Sequence, residues 1–215
     1  VDITELFESS NVPTCKIHDC KISDKLDWIA ISYDGYQSVT HTRQILFVKP
    51  EYWIIIDSLR GDGEHICDLY FHFNQGLDLS YNKTDRNVKA VNVMSNIKIR
   101  PLLTSGLNEE ILEGEISPEY GVKVKSPILR YRKKGKLPIT FVTLLYPSTE
   151  DDQNIEFSQF DVYGEKGEIL NENEAIGIKI ASKRYTDSLL CSHNSTPREL
   201  SSEKVRKIKG RVVYR

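Results

Sequence analysis

The feature that most limits the folds open to this chain is a succession of nine apolar, β-branched runs, at residues 28–32, 39–49, 52–59, 66–73, 88–94, 96–103, 122–132, 139–146 and 175–181. Gly, Asn, Asp and Pro separate them, which is the pattern of strands divided by turns. No stretch of comparable length keeps a 3.6-residue apolar period, so helices do not supply the core. Lys49-Pro50-Glu51 and Gly61-Asp62-Gly63 carry the residues that tight turns demand and suit consecutive antiparallel hairpins. Short strands joined in this way predict an all-β fold, a large two-sheet antiparallel β-sandwich rather than a parallel α/β sheet. One short helix is expected in the polar segment 197–210, capped by Ser201 or Ser202, ahead of a last strand at 211–215.

At 215 residues the chain can bury a core without metals or disulfide staples, and it reads as one domain over residues 1–215. Its 39% hydrophobic and 28% charged residues exclude a disordered or fibrous chain. A formal net charge of −2, with one short basic cluster at 130–136, excludes the positive field that duplex nucleic acid requires. No apolar run reaches the roughly 20 residues of a membrane span, so none is expected. Cys15, Cys20, Cys67 and Cys191 are too scattered for a disulfide framework and are expected to be thiols. On an uninterrupted strand Cys15 and Cys20, five apart, face opposite ways.

The densest polar chemistry lies in the first third, in Tyr33-Asp34-Gly35-Tyr36, His41-Thr42-Arg43, Asp57, His65 and His72. A period of two over residues 39–49 puts Val39, His41, Arg43, Ile45 and Phe47 on one face, with Thr40, Thr42, Gln44 and Leu46 on the other. A hairpin through Pro50 then lays Asp57 opposite Arg43, which predicts an ion pair. Two readings of that pair stay open. It is a salt bridge closing one end of the sandwich, or part of a site where His41 titrates or hydrogen-bonds at the sheet surface and Asp57 with His72 ligates a divalent metal such as zinc. His65 reads most simply as a turn residue. The tyrosines, Tyr36 among them, either stack on sugar rings or belong to the core.

An ordered set of residues carries a resemblance. Asp34-Gly35-Tyr36, then His41-Thr42-Arg43-Gln44-Ile45-Leu46-Phe47-Val48-Lys49-Pro50, then Tyr52-Trp53-Ile54-Ile55-Ile56-Asp57, then Gly63-Glu64-His65 and Phe71-His72-Phe73 resemble the opening of the heparinase II/III-like carboxy-terminal domain. Ser117-Pro118-Glu119-Tyr120-Gly121, the strand at 138–147, and Ala175-Ile176-Gly177-Ile178-Lys179-Ile180 with Thr186-Asp187 extend it, and it is strongest over residues 26–147.

The resemblance implies a β-sandwich that follows an amino-terminal α/α toroid in a bacterial protein of the periplasm, cell envelope or secretome. It also implies cleavage of uronate-containing acidic polysaccharides by β-elimination. That chemistry needs a group to neutralise the uronate carboxylate, a base for the C5 proton and an acid for the leaving oxygen. On this resemblance His41 is the catalytic histidine that the sandwich contributes, with Tyr36 and Arg43 binding substrate. Relatives also hold zinc through two His and one Asp. Asp57 and His72 match two of those ligands, whereas Arg43 stands where the third belongs, and a guanidinium replaces a metal's charge but cannot ligate it. Because residues 1–215 supply no toroid, the chain by itself is expected to have little or no lyase activity. The alternative is a noncatalytic carbohydrate-binding or structural sandwich.

Overall fold

The computed structural model describes residues 14–36, 38–91, 96–148, 155–193, 198–202 and 208–214. Among them every regular element is a strand. The first five are β1 (Cys15–Lys21), β2 (Leu26–Tyr36), β3 (Val39–Val48), β4 (Tyr52–Gly61) and β5 (Glu64–His72). There follow β6 (Asp78–Asn82), β7 (Asn87–Val91), β8 (Asn96–Pro101), β9 (Leu107–Ile116), β10 (Val124–Lys136) and β11 (Ile139–Ser148). The chain closes with β12 (Glu156–Phe160), β13 (Ala175–Ala181), β14 (Thr186–Ser192), β15 (Arg198–Leu200), β16 (Ile208–Gly210) and β17 (Val212–Tyr214). No helix among the described residues is long and apolar enough to cross a membrane.

The strands form an eight-stranded antiparallel sheet in the order β1-β2-β3-β4-β11-β8-β7-β6, a four-stranded sheet β12-β13-β14-β17, a three-stranded sheet β5-β10-β9, and the short pair β15-β16. The expected all-β sandwich is what the chain builds. Alternation along each strand of the large sheet sends its two sets of side chains to opposite faces. Leu46, Val48, Tyr52, Ile54, Ile56, Val142 and Leu144 face the four-stranded sheet and bury against Ile176, Ile178, Ile180 and Leu189. Each such side chain contributes about 1.5–3 kcal/mol by leaving water. Polar ties cross the same interface: the Tyr52 hydroxyl donates to Asp187 Oδ2 at 2.7 Å, and Gln44 Nε2 donates to the Ser192 carbonyl at 2.9 Å.

The other face of the large sheet is covered over only part of its width. Val88, Ala90, Ile99, Ile139 and Phe141 pack there against Cys67, Leu69, Leu129 and Tyr131 of the three-stranded sheet. Among the described residues Leu59 of β4 packs against this cover, whereas Ile29, Ile45, Phe47, Trp53 and Ile55 on the same face of β2, β3 and β4 belong to none of the core clusters, and the polar cluster sits beside them.

Three expectations need correction. The 61–63 turn does not close a hydrogen-bonded hairpin, because after Gly61 the chain leaves the large sheet and β5 pairs with β10 instead. In the segment expected to be helical, residues 198–200 pair antiparallel with 208–210, while 203–207 lie outside the described residues. Cys15 and Cys20 face the same way, because a register shift between Ile17 and Asp19 inserts one residue and sets them opposite Tyr33 and Ile29 of β2. All four cysteines are free thiols, two exposed and two buried, and burial raises the pKa of Cys191 to about 12.

Candidate functional site

The β3–β4 register places Arg43 directly across from Asp57 and His41 across from Leu59. Asp57 is 1% exposed, and both of its carboxylate oxygens are engaged. Arg43 Nε donates to Oδ1 at 2.7 Å and Nη2 donates to Oδ2 at 3.2 Å, a two-pronged grip suited to the planar guanidinium. His41 Nε2 lies 2.6 Å from the same Oδ1. The ion pair expected from the strand period is therefore present, with His41 added to it.

Tyr36 reaches this cluster through a local irregularity. The β2–β3 register slips between Tyr33 and Tyr36, so the pairs Tyr33–His41 and Tyr36–Val39 both fall on the His41 face although the tyrosines are three residues apart. The Tyr33 ring folds over Gly35, where a Cβ would sit 2.1 Å from the Tyr33 hydroxyl, so a larger residue here would displace that ring. The rings of Tyr33 and Tyr36 meet edge to face at 5.3 Å, and Tyr36 lies 6.5 Å from the His41 ring.

Tyr36, His41, Arg43 and Asp57 line a cleft of about 330 Å³ whose opposite wall is β5, with His65, Cys67, Asp68 and Tyr70 among its lining residues. Because β5 is the edge of its sheet, that wall is a strand edge. Period-two reasoning on residues 39–59 gives no signal for an edge brought in from another sheet, so nothing in the sequence points to Asp68, whereas Tyr70, one of the tyrosines expected either to stack on sugar rings or to belong to the core, lines the cleft. His65 Nε2 sits 2.8 Å from the Asp62 carbonyl, as suits a turn residue, yet the ring also lines the cleft.

Asp68 repeats the Asp57 arrangement. Arg132 Nε and Nη2 reach its two oxygens at 2.6 Å each, and the Tyr70 hydroxyl donates to Oδ2 at 3.0 Å. The Arg132 guanidinium holds the Asp68 carboxyl below its ordinary pKa. Both acids on the walls are thus neutralised by arginines, and the cleft can accept an anion without a bare carboxylate facing it.

His72 is not brought to this cluster. It lies at the end of β5 opposite Ile128, its ring 6.3 Å from Tyr70, and it is absent from the cleft lining. Among the described residues no group of three or more His, Cys, Asp or Glu is placed to hold a metal. With Asp57 gripped by Arg43, the donor set does not fit zinc.

The fold is an all-β sandwich with a His–Asp–Arg cluster and exposed tyrosines on a cleft between two of its sheets. The chain belongs to the heparinase II/III-like, C-terminal family, whose model matches residues 3–161. It is 26% identical over 129 residues to a heparin-sulfate lyase of Pedobacter heparinus, covering 58% of this chain and 19% of that protein. The crystal structure of a heparan sulfate lyase from the same organism superposes with a TM-score of 0.69 at 19% identity, over 84% of this chain and 28% of that one. A crystal structure of heparinase III gives 0.66 at 15% identity, over 83% and 27%. These structural likenesses show the fold. The chain spans about one fifth of the curated relative's length.

Proposed function

We propose that this chain is the carboxy-terminal sandwich of a polysaccharide lyase that cleaves uronate-containing acidic polysaccharides by β-elimination, with His41 contributed to an active site completed by an amino-terminal domain of the same protein. The observation that carries this reading is the His41–Asp57–Arg43 cluster on the wall of an open cleft in a chain of this family. In the reaction a base takes the C5 proton, and the electron pair left on C5 forms the C4–C5 double bond as the C4–O bond breaks, its pair leaving on the glycosidic oxygen, which takes up a proton. Arg43 has its remaining guanidinium N–H groups for the uronate carboxylate, and Tyr36, 56% exposed, has a ring face for the sugar.

A second observation supports the interdomain arrangement. On the uncovered face, Ile29, Ile45 and Ile55 stand in one cross-strand row and Phe47 and Trp53 in the next, their rings stacked at 4.3 Å. Ile31 shares the row of Arg43 and Asp57. All six are half-buried, and none belongs to a core cluster. An apolar strip continuous with a polar site suits a docked domain, and the occupant proposed is the amino-terminal domain.

The test is ultraviolet absorbance of the unsaturated uronate product, measured on the full-length protein and on residues 1–215 against a panel of acidic polysaccharides. Cleavage by the full-length protein alone, lost in His41→Ala, is the expected result. Full activity in His41→Ala overturns the role of His41, and no cleavage on a broad panel overturns the lyase reading in favour of a binding module.

A further inference from the structure

We propose that Asp57 is a positioning residue: one buried carboxylate fixes the tautomer of His41 and thereby decides which ring nitrogen the substrate meets. This rests on the reading of His41 as an active-site residue. An ionised carboxylate only accepts hydrogen bonds, so the 2.6 Å contact with Oδ1 requires the proton of the neutral imidazole to sit on Nε2. Nδ1 then carries the lone pair, and it makes no hydrogen bond among the described residues although the ring lines the cleft. His41 therefore enters the cleft as an acceptor, for a sugar hydroxyl or for a proton leaving carbon.

Arg43 completes the device. Oδ1 accepts from both His41 Nε2 and Arg43 Nε, so the guanidinium and the imidazole are held at one atom. A carboxylate 1% exposed needs a countercharge, and the guanidinium supplies it without taking the contact that orients the ring. If Nδ1 takes up a proton, the imidazolium stays bonded to Oδ1 through Nε2–H, and nothing in the cluster has to move. His41 is hydrogen-bonded within a packed sheet, and its carboxylate partner comes from the adjacent strand β4. The ring is therefore set before substrate arrives.

Two measurements test the proposal. The first is the ¹⁵N spectrum of neutral His41 in residues 1–215, assigned by its loss in His41→Gln. Protonated Nε2 with unprotonated Nδ1 is expected, and the reverse tautomer overturns the proposal whatever the protein catalyses. The second compares Asp57→Asn with wild type in the full-length lyase. The near-isosteric amide can donate to Nε2 and release the tautomer, so kcat should fall roughly 10- to 100-fold with KM little changed. An unchanged kcat overturns the positioning role. Should the full-length protein prove inactive, the lyase reading fails, and the tautomer measurement still decides the structural claim. If Asp57→Asn fails to fold, Asp57→Glu takes its place in the kinetic comparison.

Discussion

Arg43 and Asp57 face each other across β3 and β4, and the guanidinium reaches both carboxylate oxygens, at 2.7 and 3.2 Å. The acid is almost wholly buried, while 36% of the arginine side chain is exposed. Arg43→Ala leaves a buried carboxylate without countercharge. A fully buried pair broken in this way loses about 3–5 kcal/mol. With the exposed arginine discounted for solvent screening, the expected loss is about 2 kcal/mol. Urea denaturation of residues 1–215 measures it, and an unchanged midpoint would show that the pair does not hold the sheet. Removing both partners, as Arg43→Leu with Asp57→Leu, should restore most of the loss, because no charge is then left unpaired.

Asp68 gives a dependence on pH. Its folded pKa lies below the ordinary value of 3.8, chiefly through the hydrogen bonds from Arg132. Between the folded and unfolded values the unfolded chain binds more protons, so the stability Asp68 contributes is present above about 4 and is lost as pH falls through the folded value. Asp68→Asn should therefore melt below wild type at neutral pH, and the two melting temperatures should converge in acid. A gap that persists at pH values well below the carboxylate range would assign the effect to packing.

The contrast between these two acids explains how much the sequence reveals. The Arg43–Asp57 pair was legible because β3 and β4 are joined by a short turn, so period-two alternation and the turn length fix the register between them. The Asp68 wall was not, because β5 departs into another sheet, and no local pattern records which sheet a strand joins. The same departure explains why His72 does not join Asp57. Strand β9 carries no strand signal in the sequence for another reason. Its sequence LNEEILEGEI alternates poorly because it is an exposed edge whose Glu113 and Glu115 pair with Lys125 and Lys123 of β10. Its stability comes from a partner 8 to 12 residues away rather than from its own apolar face.

A packing prediction concerns β13. A Cβ at Gly177 would lie 2.6 Å from Phe160 Cδ2 and Cε2 and equally close to the Phe160 carbonyl oxygen. Phe160 is the cross-strand partner of Gly177, and its ring covers the glycine. Gly177→Ala is expected to cost about 1–3 kcal/mol through overpacking. Thermal unfolding measures this, and Phe160→Leu in the same chain should recover only part of it because the carbonyl contact remains. Full recovery would mean that the ring alone sets the limit.

The apolar strip over β2, β3 and β4 leads to the last prediction. Phe47 and Trp53 stack beside Ile45 and Ile55 on a face that no sheet among the described residues covers. Such a strip in water binds a hydrophobic dye, and residues 1–215 should do so. The pair of substitutions Ile45→Ser and Ile55→Ser should reduce the binding, with the circular dichroism of the sheets retained because both positions are only half-buried. In the full-length protein the same face is expected to be covered. Trp53 should then emit at shorter wavelength than in residues 1–215, and dye binding should be low. Equal emission in both forms would place the amino-terminal domain elsewhere and leave the strip to self-association, which sedimentation of residues 1–215 across a concentration range would detect. A blue shift that the two serine substitutions weaken would instead tie domain docking to the face that carries His41, and so to the assembly of the cleft itself.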